Sequence, residues 1–265
     1  MKYTITQQWF AKTFFTLTVL FCYTVSFSQT QPMQKMSNDT LVDNKTKQTE
    51  EVKDEMEIPH PFFTHEGLPE EQVGMTSIRA SALATTDEGN TKGDFAFHIE
   101  TSLAKNLGLH IRNDRFLFNT HSEIMFQFAV IKSKDGKSGF APLIEFEIPT
   151  KKGANRINSL IGFTTKLARP RFVINQVIHY NPREDMLEGS IGLVYNIVKN
   201  IYLVGEVMGD KADGEDAMFS LVGGIKFRLR DNFLIGFGYH GPISKNREFS
   251  SQYIFQPEYV INTKM

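Results

Sequence analysis

The chain has 265 residues, with 29 Lys+Arg against 30 Asp+Glu, 41% hydrophobic and 12% aromatic residues, 23 Phe, one Trp and one Cys. Near-neutrality excludes a strongly basic nucleic-acid binder and a polyacidic protein, and the lone Cys excludes a disulfide framework or a Cys-rich zinc module. A mean hydropathy of −0.26 argues against a helical membrane bundle, but not against a membrane β-barrel, whose strands are apolar on one face only.

Residues 1–28 carry Lys2 and Lys12, no acidic residue, and an apolar run from Phe14 to Val25. The run ends in Ser26-Phe27-Ser28, small residues at the −3 and −1 positions of a cut before Gln29. This is the pattern of a secretory signal peptide. The run is shorter than the ~20 residues of a spanning helix, and Phe21 before Cys22 does not suit lipidation. Export therefore leaves a mature chain without cysteine. Residues 29–58 hold 4 Lys against 7 Asp+Glu and no aromatic residue. They cannot bury enough apolar surface to offset ordering, and read as a disordered acidic linker. Residues 59–265 then balance at 23 positive against 23 negative.

The segment 59–73 contains His60-Pro61-Phe62-Phe63-Thr64-His65-Glu66-Gly67-Leu68-Pro69. Its prolines prevent a regular strand, so it is expected at the rim of the following domain or as a plug within it. A metal contact through His60, His65 and an inward His98 or His110 is a third reading. No regular spacing brings His60 and His65 together, so no metal or cofactor is expected.

From residue 74 the hydrophobic period is two. Phe95, Phe97 and Ile99 alternate with Asp94, Ala96 and His98; Phe126 and Phe128 with Met125 and Gln127; Phe233, Ile235, Phe237 and Tyr239 with Leu234, Gly236, Gly238 and His240. This spacing gives strands with one apolar face. Twelve candidates fall near 74–85, 93–103, 107–113, 123–132, 139–148, 157–167, 171–180, 187–197, 201–209, 217–229, 233–240 and 248–256. Short links (Lys105-Asn106, Asp135-Gly136, Lys199-Asn200) alternate with longer ones (Asp87–Lys92, Asp114–Ser122, Asp210–Asp216). Pro257 is expected to end the last strand, leaving 257–265 as a tail.

The expected fold is therefore all-β: an antiparallel transmembrane β-barrel of about 12 strands over 74–256, with short turns at one end and longer loops at the other. A soluble, exported β-sandwich is the alternative. The outward set includes Phe95, Phe97, Phe126, Phe128, Leu203, Phe237, Tyr239, Tyr253 and Phe255. The inward, lumen-lining set is Arg79, His98, Glu100, His110, Arg112, Gln127, Glu145, Glu147, Lys166, Asn175, His179, Glu188, Glu206, Lys226, Arg228 and His240. The mix of charges forms no single-sign funnel. The turn at Lys105 should set Glu100 opposite His110 and His98 opposite Arg112, and the link near Gly136 should set Gln127 beside Glu145.

Signal, linker, amphipathic strands and alternating loop lengths together resemble the small porin-like outer-membrane β-barrel proteins of Gram-negative bacteria. The Ser-Phe-Ser-Gln ending of the signal is similar to exported proteins of the Bacteroidetes type. The resemblance is architectural, and no motif ties the chain to a characterised transporter family. The terminal Asn262-Thr263-Lys264-Met265 departs from the aromatic ending many barrels present. The resemblance implies residence in the outer membrane after export, with lipid outside and small polar solutes within. The expected function is a passive channel, with a non-conducting structural or partner-binding barrel as the rival. Catalysis is not expected: His121 and Ser122 would face opposite sides of a strand, His179–Asp185 lacks a nucleophile, and no phosphate-binding or dinucleotide motif occurs.

Overall fold

A computed structural model describes residues 58–69, 72–114, 121–150, 156–244 and 249–262. The signal peptide (1–28) and all but Ile58 of the acidic linker lie outside the described residues. The described residues contain no helix, and the alternating residues form β1 (Met75–Asp87), β2 (Asn90–Ala104), β3 (Leu107–Asn113), β4 (His121–Phe128), β5 (Ile131–Lys132) and β6 (Gly139–Pro149). There follow β7 (Asn158–Arg169), β8 (Phe172–Asn181), β9 (Met186–Val198), β10 (Ile201–Ala212), β11 (Met218–Arg230), β12 (Phe233–Pro242) and β13 (Ser251–Asn262).

Every pairing is antiparallel between neighbours, β13 returns to β1, and β4 reaches past the short β5 to β6. The result is a closed barrel of twelve long strands plus the two-residue β5. A single closed sheet replaces the two stacked sheets of the sandwich alternative, and closure leaves no edge that lipid would have to solvate.

Turn chemistry explains the short links. Asn106 and Asn200 take φ of 70° and 68°, a left-handed conformation that Asn tolerates and that closes a two-residue turn. Glu88 and Gly89 both have positive φ, 46° and 81°, so the link expected to be long between Asp87 and Lys92 is instead a tight hairpin. The expected strand 123–132 breaks after Phe128. Residues 129–138 carry β5 and a polar turn, in which the Ser133 hydroxyl and the Lys137 amide (3.1 Å) donate to Asp135. Those bonds, the Ser133 one foremost, hold the Asp135 carboxyl below its ordinary range.

The last strand corrects the sequence reading. β13 continues through Pro257 to Asn262, so the expected tail at 257–265 is strand as far as it is described. Pro257 stays paired with Ile235, while the ladder to β1 runs from Arg79↔Glu258 to Ala82↔Phe255 without pairs between. A proline lacks only the N–H, and a local gap in one ladder accommodates that loss.

The outer face carries the expected apolar residues: Phe128 is 52% exposed, Leu203 51% and Tyr253 60%. Aromatic pairs lie across strands there, Phe237 on Phe255 at 5.2 Å between ring centroids and Tyr239 on Tyr253 at 5.5 Å, a cross-strand packing that stabilises the sheet. The inner face is not purely polar. Leu83, Val194, Tyr202, Val204, Val222, Leu234 and Ile254 point inward and form a buried cluster with Phe62 and Phe63.

Candidate functional site: the lumen and its inserted segment

Residues 59–69 are all buried, because the segment lies among the inward side chains of the barrel. Both of its ends are near the same mouth. His60 bonds Glu258 (2.6 Å) and lies 3.4 Å from Ser77, close to the paired ends Met75↔Asn262. Pro69 lies against Gly108, beside the Lys105-Asn106 turn. Between these ends the chain turns within the barrel, with His65 near the turning point. Three prolines and interspersed polar groups suit it to this position, since irregular backbone inside a sheet must find its hydrogen bonds on the wall.

Those bonds come from barrel side chains. The Glu206 carboxylate accepts the backbone N–H groups of Phe62 (2.5 Å), Phe63 (3.0 Å) and Thr64 (2.7 Å) and the Thr64 hydroxyl (2.9 Å). The carbonyl of Pro61 accepts from Arg79 (2.9 Å) and Lys226 (3.3 Å). The carbonyl of Glu66 accepts from Gln127 (2.9 Å), which also donates to Thr164 (2.5 Å). The Gly67 N–H donates to Asn175 (3.0 Å), and the Glu66 carboxylate pairs with Lys166.

The Phe62 ring fills a slot between glycines. A Cβ on Gly224 or Gly236 would come within 2.6 Å or 2.8 Å of that ring, so only glycine at these inward positions admits it. The Lys226 ammonium lies over the ring, 5.0 Å from its centroid. Burying one such phenyl ring is worth about 1.5–3 kcal/mol.

The remaining expected lumen residues are also buried or half-buried. Glu100 stands opposite His110, and His98 opposite Arg112. Glu100 forms an ion pair with Arg79, and its Oε1 lies 3.3 Å from His110. His98 bonds Asp114 at 2.5 Å. Arg112 bonds Glu123 at 2.5 Å and reaches the Phe63 carbonyl at 3.4 Å. Glu147 accepts from Asn158 at 2.8 Å. Arg228 lies over Tyr202, 5.7 Å from its ring centroid, and donates to the Asp231 carbonyl. His240 approaches Gln252 at 3.2 Å, with its ring 5.6 Å from that of Phe63.

One register expectation fails. Gln127 stands opposite Leu143, and Glu145 opposite Met125, because the break after Phe128 lengthens the connection and shifts the pairing. Glu145 meets His179 instead, at 3.4 Å. The sequence reading also missed Glu258 and Gln256, which bond Lys226 at 2.8 Å each. Their signal was the continued alternation Gln252, Ile254, Gln256, Glu258 across Pro257. His60 and His65 do not converge: His60 is held by Glu258, whereas the His65 ring lies 5.3 Å from His110 and 5.9 Å from His179.

Beyond the segment's turn lies a cavity of about 430 Å³. Its wall runs from His65, Arg112 and His179 in the lumen to Glu215, Ser244 and Phe249 in the connections at the opposite mouth, with Glu188 and Asp210 between. The lumen is thus filled at the end where the segment inserts and hollow at the long-loop end.

Fold and lumen together define a closed antiparallel β-barrel, apolar outside, with a polar interior filled at one end. Among solved structures, the chain is similar to the KdgM porin (TM-score 0.53, 9% identity, covering 70% of this chain and 99% of that one). It is also similar to an outer-membrane channel from Pseudomonas putida F1 (TM-score 0.52, 7% identity, 74% and 99%) and to the NanC porin (TM-score 0.50, 6% identity, 71% and 100%). At these identities the likeness is one of fold. No protein-family model matches the chain, and no curated protein matches it.

Proposed function

We propose that this protein is an outer-membrane channel for small polar solutes, closed at rest by its own segment 58–69. In this reading the apolar outer face meets lipid, and the chain reaches the outer membrane by signal-peptide export. The inward polar residues, Arg79 to His240, serve both to hold the segment and to line the passage left when it moves. The observation that carries the reading is the way the segment is held: by hydrogen bonds, ion pairs and one aromatic slot, beside a cavity already present at the other mouth. Segments held by such reversible contacts can exchange between docked and released states. No catalytic step is assigned to the lumen.

A non-conducting barrel is the rival, favoured by the ion pairs Arg79–Glu100, Lys226–Glu258 and Arg112–Glu123 across the wall. Planar-bilayer recording separates the two. The wild type should show rare or small conductance steps, and a variant lacking residues 58–69 should show frequent, larger ones. Migration differing between unboiled and boiled samples on a detergent gel establishes that each variant is a folded barrel. A folded deletion variant, or a folded Glu206→Ala variant, that is silent across a range of salt overturns the channel reading.

A further inference from the structure

Beside the cavity, whose wall includes His65 and His179, lies a side-chain cluster that docking the segment does not explain. His65 on the inserted segment, Glu145 on β6 and His179 on β8 each offer one ligand atom, and these atoms all lie within 4.8 Å of one another. All three residues are buried, at 1%, 2% and 4% exposure. His65 Nε2, His179 Nε2 and Glu145 Oε2 have no hydrogen-bond partner among the described residues, although Glu145 Oε2 stands 3.4 Å from His179 Nδ1. Leaving buried polar atoms unsatisfied costs about 1–3 kcal/mol each, so an unpartnered atom on each of three clustered residues points to something that satisfies them together.

We propose that His65, Glu145 and His179 bind a divalent first-row transition-metal cation of the zinc class, and that the ion latches the inserted segment to the barrel wall. Two imidazoles and one carboxylate are a ligand set for this class, with a fourth position left to water or solute. Ligand bonds of about 2 Å put donor atoms about 3.3 Å apart. Reaching that value from the present spacing of up to 4.8 Å takes a combined movement of the ligand atoms of about 1.5 Å at most. His65 Nδ1 lies 3.4 Å from His110 Nδ1, giving the ligand ring an orienting neighbour of the kind that tunes metal sites. Access is provided too: His65 and His179 line the cavity, whose wall also carries Glu188, Asp210 and Glu215.

Two competing features are accounted for. Arg112 lies near the cluster, but its guanidinium bonds Glu123 (2.5 Å) and stands 3.5 Å from Asp114, so its charge is already matched. A second grouping, His65, Glu100 and His110, has similar spacing, but Glu100 is committed to Arg79. Glu145 has no such cationic partner within ion-pair distance other than His179 and is the better ligand. The site concerns the closed state and stands whether or not the released barrel conducts.

The test uses the folded protein in detergent, dialysed against Zn²⁺ with metal content measured, and Co²⁺ as an optical probe. The wild type should retain one Zn²⁺ per chain and give visible Co²⁺ absorption that Zn²⁺ abolishes. His65→Gln, Glu145→Gln and His179→Gln should each weaken binding by more than about tenfold, while His121→Gln at the loop rim should leave it unchanged. Wild-type protein, folded by the gel criterion, that retains no Zn²⁺ overturns the proposal, as expected if water fills the site. Retention undiminished in all three ligand variants overturns it equally. Neither outcome depends on conductance.

Discussion

At the scale of single residues, Glu206 does more for the inserted segment than any other side chain described. One carboxylate accepts three successive backbone N–H groups and a hydroxyl, a load that only an anion with two acceptor oxygens carries. Glu206→Ala strands four buried donors, three backbone N–H groups and the Thr64 hydroxyl, at about 1–3 kcal/mol for each left unpaired. Glu206→Gln keeps one acceptor oxygen and should fall between. Amide hydrogen exchange over residues 58–69, followed by mass spectrometry, should accelerate by more than about tenfold in the alanine variant, because 1.4 kcal/mol is already a factor of ten. Unchanged exchange would show that the slot around Phe62 holds the segment alone. Parity made Glu206 legible as an inward residue, since it alternates with Gly205 and Val207 on β10. Its partners were not legible, because backbone N–H groups more than 140 positions away in the chain leave no mark on a local pattern.

At the scale of elements, the outward face should tolerate charge according to height in the membrane. Phe128 is the last residue of β4, at the short-turn end, whereas Val207 lies mid-strand on β10 and is 44% exposed. A lysine at the midplane costs about 2–4 kcal/mol and near the interface about 0–1. Val207→Lys should therefore lower the yield of heat-modifiable barrel in membranes well below that of Phe128→Lys. Equal yields would mean that the apolar band is not where the strand centres put it. Strands were readable because period two survives any tertiary context, and Asn106 and Asn200 marked their turns. Reading failed where a local rule met a permissive neighbourhood. Proline ends most strands, but here Pro257 keeps its pairing with Ile235 on β12 and the gap is confined to the ladder with β1. Segment 58–69 has no period at all, so only the wall, with Gly224 and Gly236 kept small beneath Phe62, reveals where it sits.

At the scale of the whole molecule, net charge hides an uneven distribution. Residues 59–265 balance at 23 against 23, yet among the described residues the cavity wall at the long-loop end carries Glu188, Asp210 and Glu215 against Arg112. Releasing the segment takes one negative charge out of the lumen, the Glu66 carboxylate that pairs with Lys166, and uncovers the Glu206 carboxylate already on the wall. The acidic mouth should then set the selectivity of an opened barrel, because a charged vestibule between low-dielectric walls raises the local concentration of counter-ions. In a KCl gradient across a bilayer, the variant lacking residues 58–69 should give a reversal potential favouring K⁺ over Cl⁻. The preference should shrink as salt rises from ~0.1 M to ~1 M, since the screening length falls from ~10 Å to ~3 Å. Neutralising the wall with Glu188→Gln and Asp210→Asn should bring the reversal potential toward zero without altering single-channel conductance at high salt. A reversal potential near zero before neutralisation would instead place the selectivity with the balanced charges deeper in the lumen.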